Sequence, residues 1–88
     1  MIRPIITKIA FYGKPSKRFL TYVTIEFEGN FVIKDIKIVR LNEKMLLAMP
    51  ARQNMDGESV EFAFPINREY RMYMETTIFD RYVKECIE

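Results

Sequence analysis

The alternation of apolar and polar positions divides the chain into five strand-like segments followed by one helical segment. The clearest strand is residues 18–28, where apolar side chains occupy every second position from Val23 to Phe27. A period of two places one face of a strand against a core and the other toward water. Runs rich in β-branched and aromatic residues predict the remaining strands. The predicted strands are residues 5–12, 18–28, 31–41, 44–49 and 58–64.

Short turn sequences connect the predicted strands and set their direction. The pair Gly29-Asn30, with glycine first, is typical of a tight two-residue hairpin turn, and Asn42-Glu43 makes a second turn. Strands joined by so short a connection pair in the antiparallel direction. The sequence therefore predicts an antiparallel sheet.

The third strand contains an irregularity, and the fourth has a clear end. Within residues 31–41 the apolar positions change parity at Lys34-Asp35, so a β-bulge or corner there would return the apolar side chains to one face. Pro50 lacks the amide that strand pairing needs, which predicts a loop over residues 50–57.

The C-terminal segment changes to a helical period. Asn67 is a good N-cap, because its side-chain oxygen can accept a hydrogen bond from the first turn, and Glu69 suits the positive end of a helix. The predicted helix covers residues 68–86. Along it, apolar side chains recur every four residues, at Met74, Ile78 and Tyr82. One helix face should therefore pack on the sheet.

Together these elements predict one α+β domain spanning residues 1–88, an antiparallel five-stranded sheet with a C-terminal α-helix packed on it. A chain of this size buries only about 60 to 65% of the surface that it exposes when unfolded, so a lone monomer would be marginally stable. This favours a partner subunit.

Composition excludes several functional classes. The chain has seven Phe and five Tyr but only three Gly and four Pro, which favours a folded chain over a disordered one. With no histidine and a single cysteine, Cys86, it has neither a zinc ligand set nor a Ser/His/Asp or Cys/His catalytic arrangement. We therefore expect no enzymatic activity, no metal site and no cofactor.

The same sequence bears on location. No apolar stretch approaches the roughly 18 residues that a membrane span requires. One cysteine forms no internal disulfide, and the chain opens into strand-like sequence without the zones of a signal peptide. The expectation is a cytoplasmic protein that does not insert into a membrane.

Charge is distributed unevenly, although the net charge is only +2. Residues 1–52 carry ten basic and four acidic side chains, whereas residues 53–88 carry four basic and eight acidic ones. The basic part could face a phosphate backbone, or its charges could be ordinary solvated side chains on strand faces. Charge alone favours the second interpretation.

Four sequence blocks follow one another between residues 31 and 67. They are Phe31-Val-Ile-Lys-Asp-Ile-Lys-Ile, Ala48-Met-Pro-Ala-Arg52, Asp56-Gly-Glu and Pro65-Ile-Asn67. Their order and spacing resemble the SpoVG family of septation and sporulation regulators, in which "FVxxDIxV", "AMPS" with basic residues, "DGE" and "PIN" occur in this order. The resemblance extends over residues 5–75.

The resemblance implies a small homodimer that binds DNA, and in some members RNA, and that affects the expression of genes for division, sporulation or virulence. It implies no catalytic activity. Two positions depart from the family pattern. Gln53 and Asn54 follow Arg52 where further basic residues are usual, and Phe64 stands where a histidine often precedes the block that opens the helix.

Six basic residues are the candidate nucleic-acid contacts: Arg52, Arg71, Arg68, Lys17, Arg18 and Lys14. Arg52 lies at the basic position of the second block, and a guanidinium can contact two phosphate oxygens at once. Arg71 matches an arginine that is common in the family's first helical turn. It could instead pair with Glu75, four residues later.

The other four candidates lie at the helix start and in the first predicted loop. A cation at Arg68 opposes the helix dipole, and this local cost invites a functional explanation. Lys14, Lys17 and Arg18 form the densest basic cluster in the chain. For the three loop cations, solvation of an exposed turn is the alternative. For Arg68, the alternative is pairing with Glu69, Glu75 or another acidic residue.

Two further interpretations of function are open. The protein could be an interaction adaptor whose apolar surface serves a protein partner, or a dimeric scaffold that has lost its function. Four tyrosines could stack on bases if they lie exposed near the basic loops, although packing in a core or dimer is the more common fate. These are Tyr12, Tyr22, Tyr70 and Tyr73.

Overall fold

An antiparallel sheet of four strands, ordered β1-β2-β3-β4 along the sheet, supports a single long helix on one face. The computed structural model describes residues 4–87. Its elements are β1 (Ile6–Tyr12), β2 (Phe19–Phe27), β3 (Phe31–Leu41), β4 (Lys44–Ala48), β5 (Ala51–Gln53), β6 (Ser59–Glu61), and α1 (Arg68–Tyr82), which a π-helical turn (Val83–Ile87) extends. The predicted α+β class, the antiparallel sheet and the C-terminal helix are confirmed.

The core lies between the sheet and α1. Its fully buried side chains come from the two central strands, β2 and β3, and from the helix. In both strands alternate residues are apolar and face α1. The largest of them are Ile25, Ile36, Ile38, Met74, Ile78 and Val23. Burying such side chains is the dominant favourable term in the folding of a small domain.

A β-bulge in β3 keeps this apolar face continuous. Val23 pairs with Ile36, but Ile25 pairs with Ile33, so that two residues of β3 lie opposite one residue of β2. Asp35 occupies the bulge with a φ of 65°, in the left-handed region. The change of parity that the sequence shows is therefore confirmed as a bulge.

The two predicted hairpin turns differ in their outcome. Asn42 and Glu43 form the expected two-residue turn, with φ values of 50° and 70° that match the twist of a hairpin. The turn predicted at Gly29-Asn30 has three residues instead of two. Glu28 also leaves the ladder, with a φ of 53°, and the amide of Asn30 donates to the carbonyl of Phe27 at 2.9 Å.

The predicted fifth strand lies in a separate hairpin and not in the main sheet. β6 covers only part of residues 58–64, and it pairs with β5 in a two-stranded sheet. The reason is Pro50, which ends β4 and redirects the chain, so that its carbonyl accepts a hydrogen bond from the amide of Phe62 at 3.0 Å. The predicted loop over residues 50–57 is therefore one arm of this hairpin together with its tip.

The predicted helix start is confirmed. The Oδ1 of Asn67 accepts a hydrogen bond from the amide of Tyr70 at 2.7 Å, and α1 begins at the next residue after the cap, Arg68. The α-helix ends at Tyr82, and the predicted end at residue 86 falls inside the π-helical turn. Among residues 4–87, no helix has the length and apolar character needed to cross a membrane.

Candidate nucleic-acid interface

Arg52 lies on the small hairpin, which we call the β5–β6 hairpin (residues 51–61). It is exposed on β5 opposite Val60, so the prediction that it lies in a loop is wrong. Its guanidinium carbon lies 6.0 Å from the centre of the Phe62 ring, at the outer limit of a cation–π contact. Strand pairing fixes the backbone direction at this position, and the side chain is exposed.

Arg71 lies in the first turns of α1 and is engaged with the protein itself. One of its terminal nitrogens donates to the carbonyl of Leu47 at 3.1 Å, and its Nε lies 3.7 Å from a carboxylate oxygen of Glu75. Its side chain is 38% exposed. The pairing with Glu75 that the sequence allowed is present, and Arg71 also ties the helix to β4. Arg68 is exposed at the start of the same helix.

The three cations of the first loop are exposed between β1 and β2. The loop is held at both ends. Gly13, with a φ of 98°, lies so close to Tyr22 that an added Cβ would come within 3.0 Å of the ring. At the other end, the carbonyl of Arg18 accepts a hydrogen bond from the amide of Arg40 at 2.6 Å. Lys14 and Lys17 therefore project from an anchored loop.

The six candidates fall into two groups. One group comprises Arg52, Arg68 and Arg71. Arg71 contacts the end of β4, Arg68 begins the same helix, and Arg52 lies on the hairpin that follows β4 directly. The second group is Lys14, Lys17 and Arg18, in the loop of residues 13–18 that we call the basic loop. This loop joins β1 to β2, at the opposite edge of the strand order from β4. All six contacts stay predictions.

Two of the four tyrosines considered for stacking lie on the sheet face opposite α1. Tyr12 and Tyr22 are partners in the β1–β2 register, with ring centres 5.4 Å apart and planes inclined by only 21°. The other two hold the start of the chain. The hydroxyl of Tyr73 accepts from the amide of Ile6 at 3.0 Å, and that of Tyr70 donates to the carbonyl of Pro4 at 2.8 Å.

Lys37 lies beside the Tyr12–Tyr22 pair and was not among the candidates predicted from the sequence. Lys37 is the register partner of Tyr22, and its Nζ lies 5.9 Å from the centre of that ring. After the bulge, Lys37 lies between the buried Ile36 and Ile38, and this alternation in the sequence places its side chain on the face opposite the core. Within residues 4–87, no group of three or more Asp, Glu and Cys side chains is arranged to hold a metal ion.

Comparison with known proteins identifies the family. Residues 5–84 match the SpoVG family model. The chain belongs to the SpoVG family. The four SpoVG blocks map onto the β5–β6 hairpin and its surroundings: the first is in β3, the second runs from β4 into β5, the third forms the hairpin tip, and the last caps α1.

Curated SpoVG relatives cover most of this chain. A protein of an Anaeromyxobacter species is 35% identical over 80 residues, which are 91% of this chain and 82% of its own length. One from Clostridium perfringens is 38% identical over 79 residues, 90% and 83% of the two chains. One from Bdellovibrio bacteriovorus is 31% identical over 80 residues, 91% and 74%. All three are named, provisionally, as septation protein SpoVG, a name that mentions no catalytic activity.

Proposed function

We propose that this SpoVG-family protein is a cytoplasmic, dimeric regulator that binds DNA, with RNA as a second ligand, in the control of cell division and septation. The names of its relatives support the septation role. The observation that carries nucleic-acid binding is the exposed Arg52 on the hairpin built from the family's second and third blocks.

Binding should depend mainly on the phosphate backbone. α1 packs Met74, Ile78 and Tyr82 into the core and exposes the carboxylate of Asp80, which phosphates would repel, so this helix is poorly suited to enter the major groove. Exposed cations on a hairpin and a loop can neutralise phosphates without reading bases. We therefore propose affinity with limited sequence preference.

The dimer proposal is supported by the large apolar side chains that the protomer leaves exposed around the β5–β6 hairpin. Ile66, for example, is 90% exposed. Exposed apolar patches of this kind are typical of interaction surfaces. We propose that a second copy of the chain covers Phe64, Ile66 and Met72, before and at the start of α1. Val60 and Phe62 lie outside this surface, because they are the neighbours of Arg52.

Replacing Arg52 tests the nucleic-acid proposal. We expect Arg52→Ala to weaken binding to DNA and RNA of unrelated sequences by the same factor, and to reduce the slope of log K against log salt by about one unit. Arg52→Lys should keep the slope, since it keeps the charge. Fluorescence anisotropy at several salt concentrations measures both quantities.

Lys84→Ala is the matched control for Arg52, because Lys84 is an exposed cation in the π-helical turn after α1. It should leave the slope unchanged. If Arg52→Ala also leaves the slope unchanged, Arg52 makes no phosphate contact.

A charge in the exposed apolar set should break the dimer. We expect Phe64→Glu to weaken self-association by at least 100-fold, because a carboxylate in an apolar contact costs several kcal/mol and a two-fold interface contains it twice. Sedimentation equilibrium measures the effect. Leu41→Glu, at an exposed apolar position beside the β3–β4 turn, is the control and should leave association unchanged. A monomeric unmodified protein at tens of micromolar would refute the dimer.

The same apolar set favours a second candidate, a protein-interaction adaptor without direct nucleic-acid binding. The neutral side chains of Gln53 and Asn54 beside Arg52 fit this alternative. An Arg52→Glu variant that keeps every cellular effect would favour the adaptor. Loss of nucleic-acid binding together with the cellular effect would favour the regulator.

A further inference from the structure

The sheet face opposite α1 carries a row of side chains that crosses all four strands. Register pairing links Tyr12 to Tyr22, Tyr22 to Lys37, and Lys37 to Ala48. Tyr12 is 41% exposed, and Lys37 is exposed beside it in the row. Because α1 occupies the other face, this row faces solvent and not the core.

The two rings are held in place before any ligand arrives. The hydroxyl of Tyr12 donates to a carboxylate oxygen of Asp35 at 3.1 Å, and Asp35 reaches it from the β3 bulge. Phe19 packs against Tyr22 with ring centres 4.7 Å apart, and the backbone of Gly13 lies close against the same ring. A rigid aromatic pair loses little conformational entropy when a flat group stacks on it.

Charge on and beside this face is complementary to a phosphate chain. Lysines of β1, β3 and β4 lie on the face, and the basic loop flanks its aromatic end. These cations are Lys8, Lys37, Lys44, Lys14, Lys17 and Arg18. Opposing carboxylates on the same face are Glu26 and Asp35, and Asp35 already accepts a hydrogen bond from Tyr12.

A cleft of about 510 Å³ lies between this face and the β5–β6 hairpin. Tyr22, Lys37 and Ala48 line one side, and Phe62 and Glu61 line the other. A carboxylate such as that of Glu61 can accept hydrogen bonds from the amino group of a base, and a cleft of this size is in the range of small-molecule sites. The hairpin thus borders the same space as the aromatic row, and Arg52 lies outside the lining of the cleft.

We propose that the open sheet face is a binding site for single-stranded nucleic acid, in which an unpaired base stacks on Tyr12, supported from behind by Tyr22, and phosphates contact Lys37 and the basic loop. This rests on the proposed function and names its ligand class. A duplex keeps its base faces stacked on one another, so only unpaired bases can use the aromatic row. The face is distinct from the candidates Arg71 and Arg68, which lie on α1.

Substitution of Tyr12 separates stacking from charge. For a labelled twelve-nucleotide oligothymidine, Tyr12→Ala should lower the affinity by about 5- to 100-fold, the effect of losing one stacked base, with no change in salt slope. Affinity for a duplex should stay within about twofold of the unmodified protein. Tyr12→Phe, which keeps the ring, should bind oligothymidine nearly normally. Anisotropy at about 50 mM salt gives these affinities.

Two further measurements keep the proposal falsifiable. The chain has five tyrosines and no tryptophan, so its intrinsic fluorescence reports on tyrosine alone and should be quenched by single strands. Tyr12→Leu keeps a bulky apolar side chain but has no ring. It should lose binding as Tyr12→Ala does, and it provides the test if the alanine variant unfolds. Phe31→Ala is the control. Phe31 is 62% exposed and pairs with Phe27, a side chain of the core face, so its loss should not change binding.

The outcomes distinguish this inference from the proposed function. If the protein binds nucleic acid but Tyr12→Ala and Tyr12→Leu bind single strands as tightly as the unmodified protein does, the aromatic row is not the site and the proposed function stands. If the unmodified protein binds neither single strands nor duplex at low salt, both proposals are wrong. If the open face instead binds a protein partner, the Tyr12 variants would bind single strands as tightly as the unmodified protein, or no nucleic acid would bind at all. Either result contradicts the inference.

Discussion

Raising the monovalent salt concentration from about 50 to about 200 mM is expected to lower the affinity for duplex DNA about a thousandfold. The estimate takes one phosphate contact for each of the six candidate cations of one protomer. Each contact contributes about −0.9 to the slope of log K against log salt, and a slope near −5 over a fourfold change in salt gives about three orders of magnitude. No other single change should have so large an effect on binding.

The size of the slope also decides whether Arg71 takes part. In the structure its guanidinium contacts the carbonyl of Leu47 and the carboxylate of Glu75. If these contacts persist in the complex, Arg71 contacts no phosphate, and the magnitude of the salt slope decreases to that expected for five phosphate contacts. Anisotropy titrations at four or more salt concentrations would resolve the difference, and a slope between zero and about −1 would contradict backbone binding by these residues.

The basic loop offers a matched test of the same prediction. Replacing Lys14, Lys17 and Arg18 together by alanine should reduce the magnitude of the slope by about three units. Replacing Lys84, which is exposed in the π-helical turn after α1, should leave it unchanged. Equal slopes for the two variants would remove the loop from the interface.

The second large effect is expected on stability, from Ile36→Ala. Ile36, on β3, is fully buried in the core between the sheet and α1, immediately after the bulge. Removing three buried carbons loses transfer free energy and leaves a cavity, so we expect the free energy of unfolding to fall by about 2–5 kcal/mol. The free energy of unfolding of a domain of this size is about 4–13 kcal/mol, so this loss is a large share of its stability.

Urea denaturation followed by circular dichroism measures this loss. Val32→Ala is the control, because Val32 lies on the same strand but is 46% exposed, and it should cost much less. Ile36→Val should cost about 0.5–1.5 kcal/mol. A loss below about 1 kcal/mol for Ile36→Ala would mean that the site collapses without a cavity and that the core is less tightly packed than the burial indicates.

Local features were predictable from the sequence because each depends on a few neighbouring residues. The alternation in β2, the turn at Asn42-Glu43, the parity change at Asp35 and the cap at Asn67 all follow from backbone preferences and side-chain hydrogen bonds within one or two turns of chain. The family blocks also lie in the sequence itself, so the SpoVG assignment needed no coordinates.

The tertiary structure decided which segments meet. The pattern of residues 58–64 predicts a strand but contains no information on its partner, and only the folded chain shows that β6 pairs with β5 and not with the main sheet. The same holds for Arg71, whose bond to the carbonyl of Leu47 joins residues 24 positions apart. Tyr12, Tyr22 and Lys37 form a row only because strand register, a non-local property, aligns them across the open face.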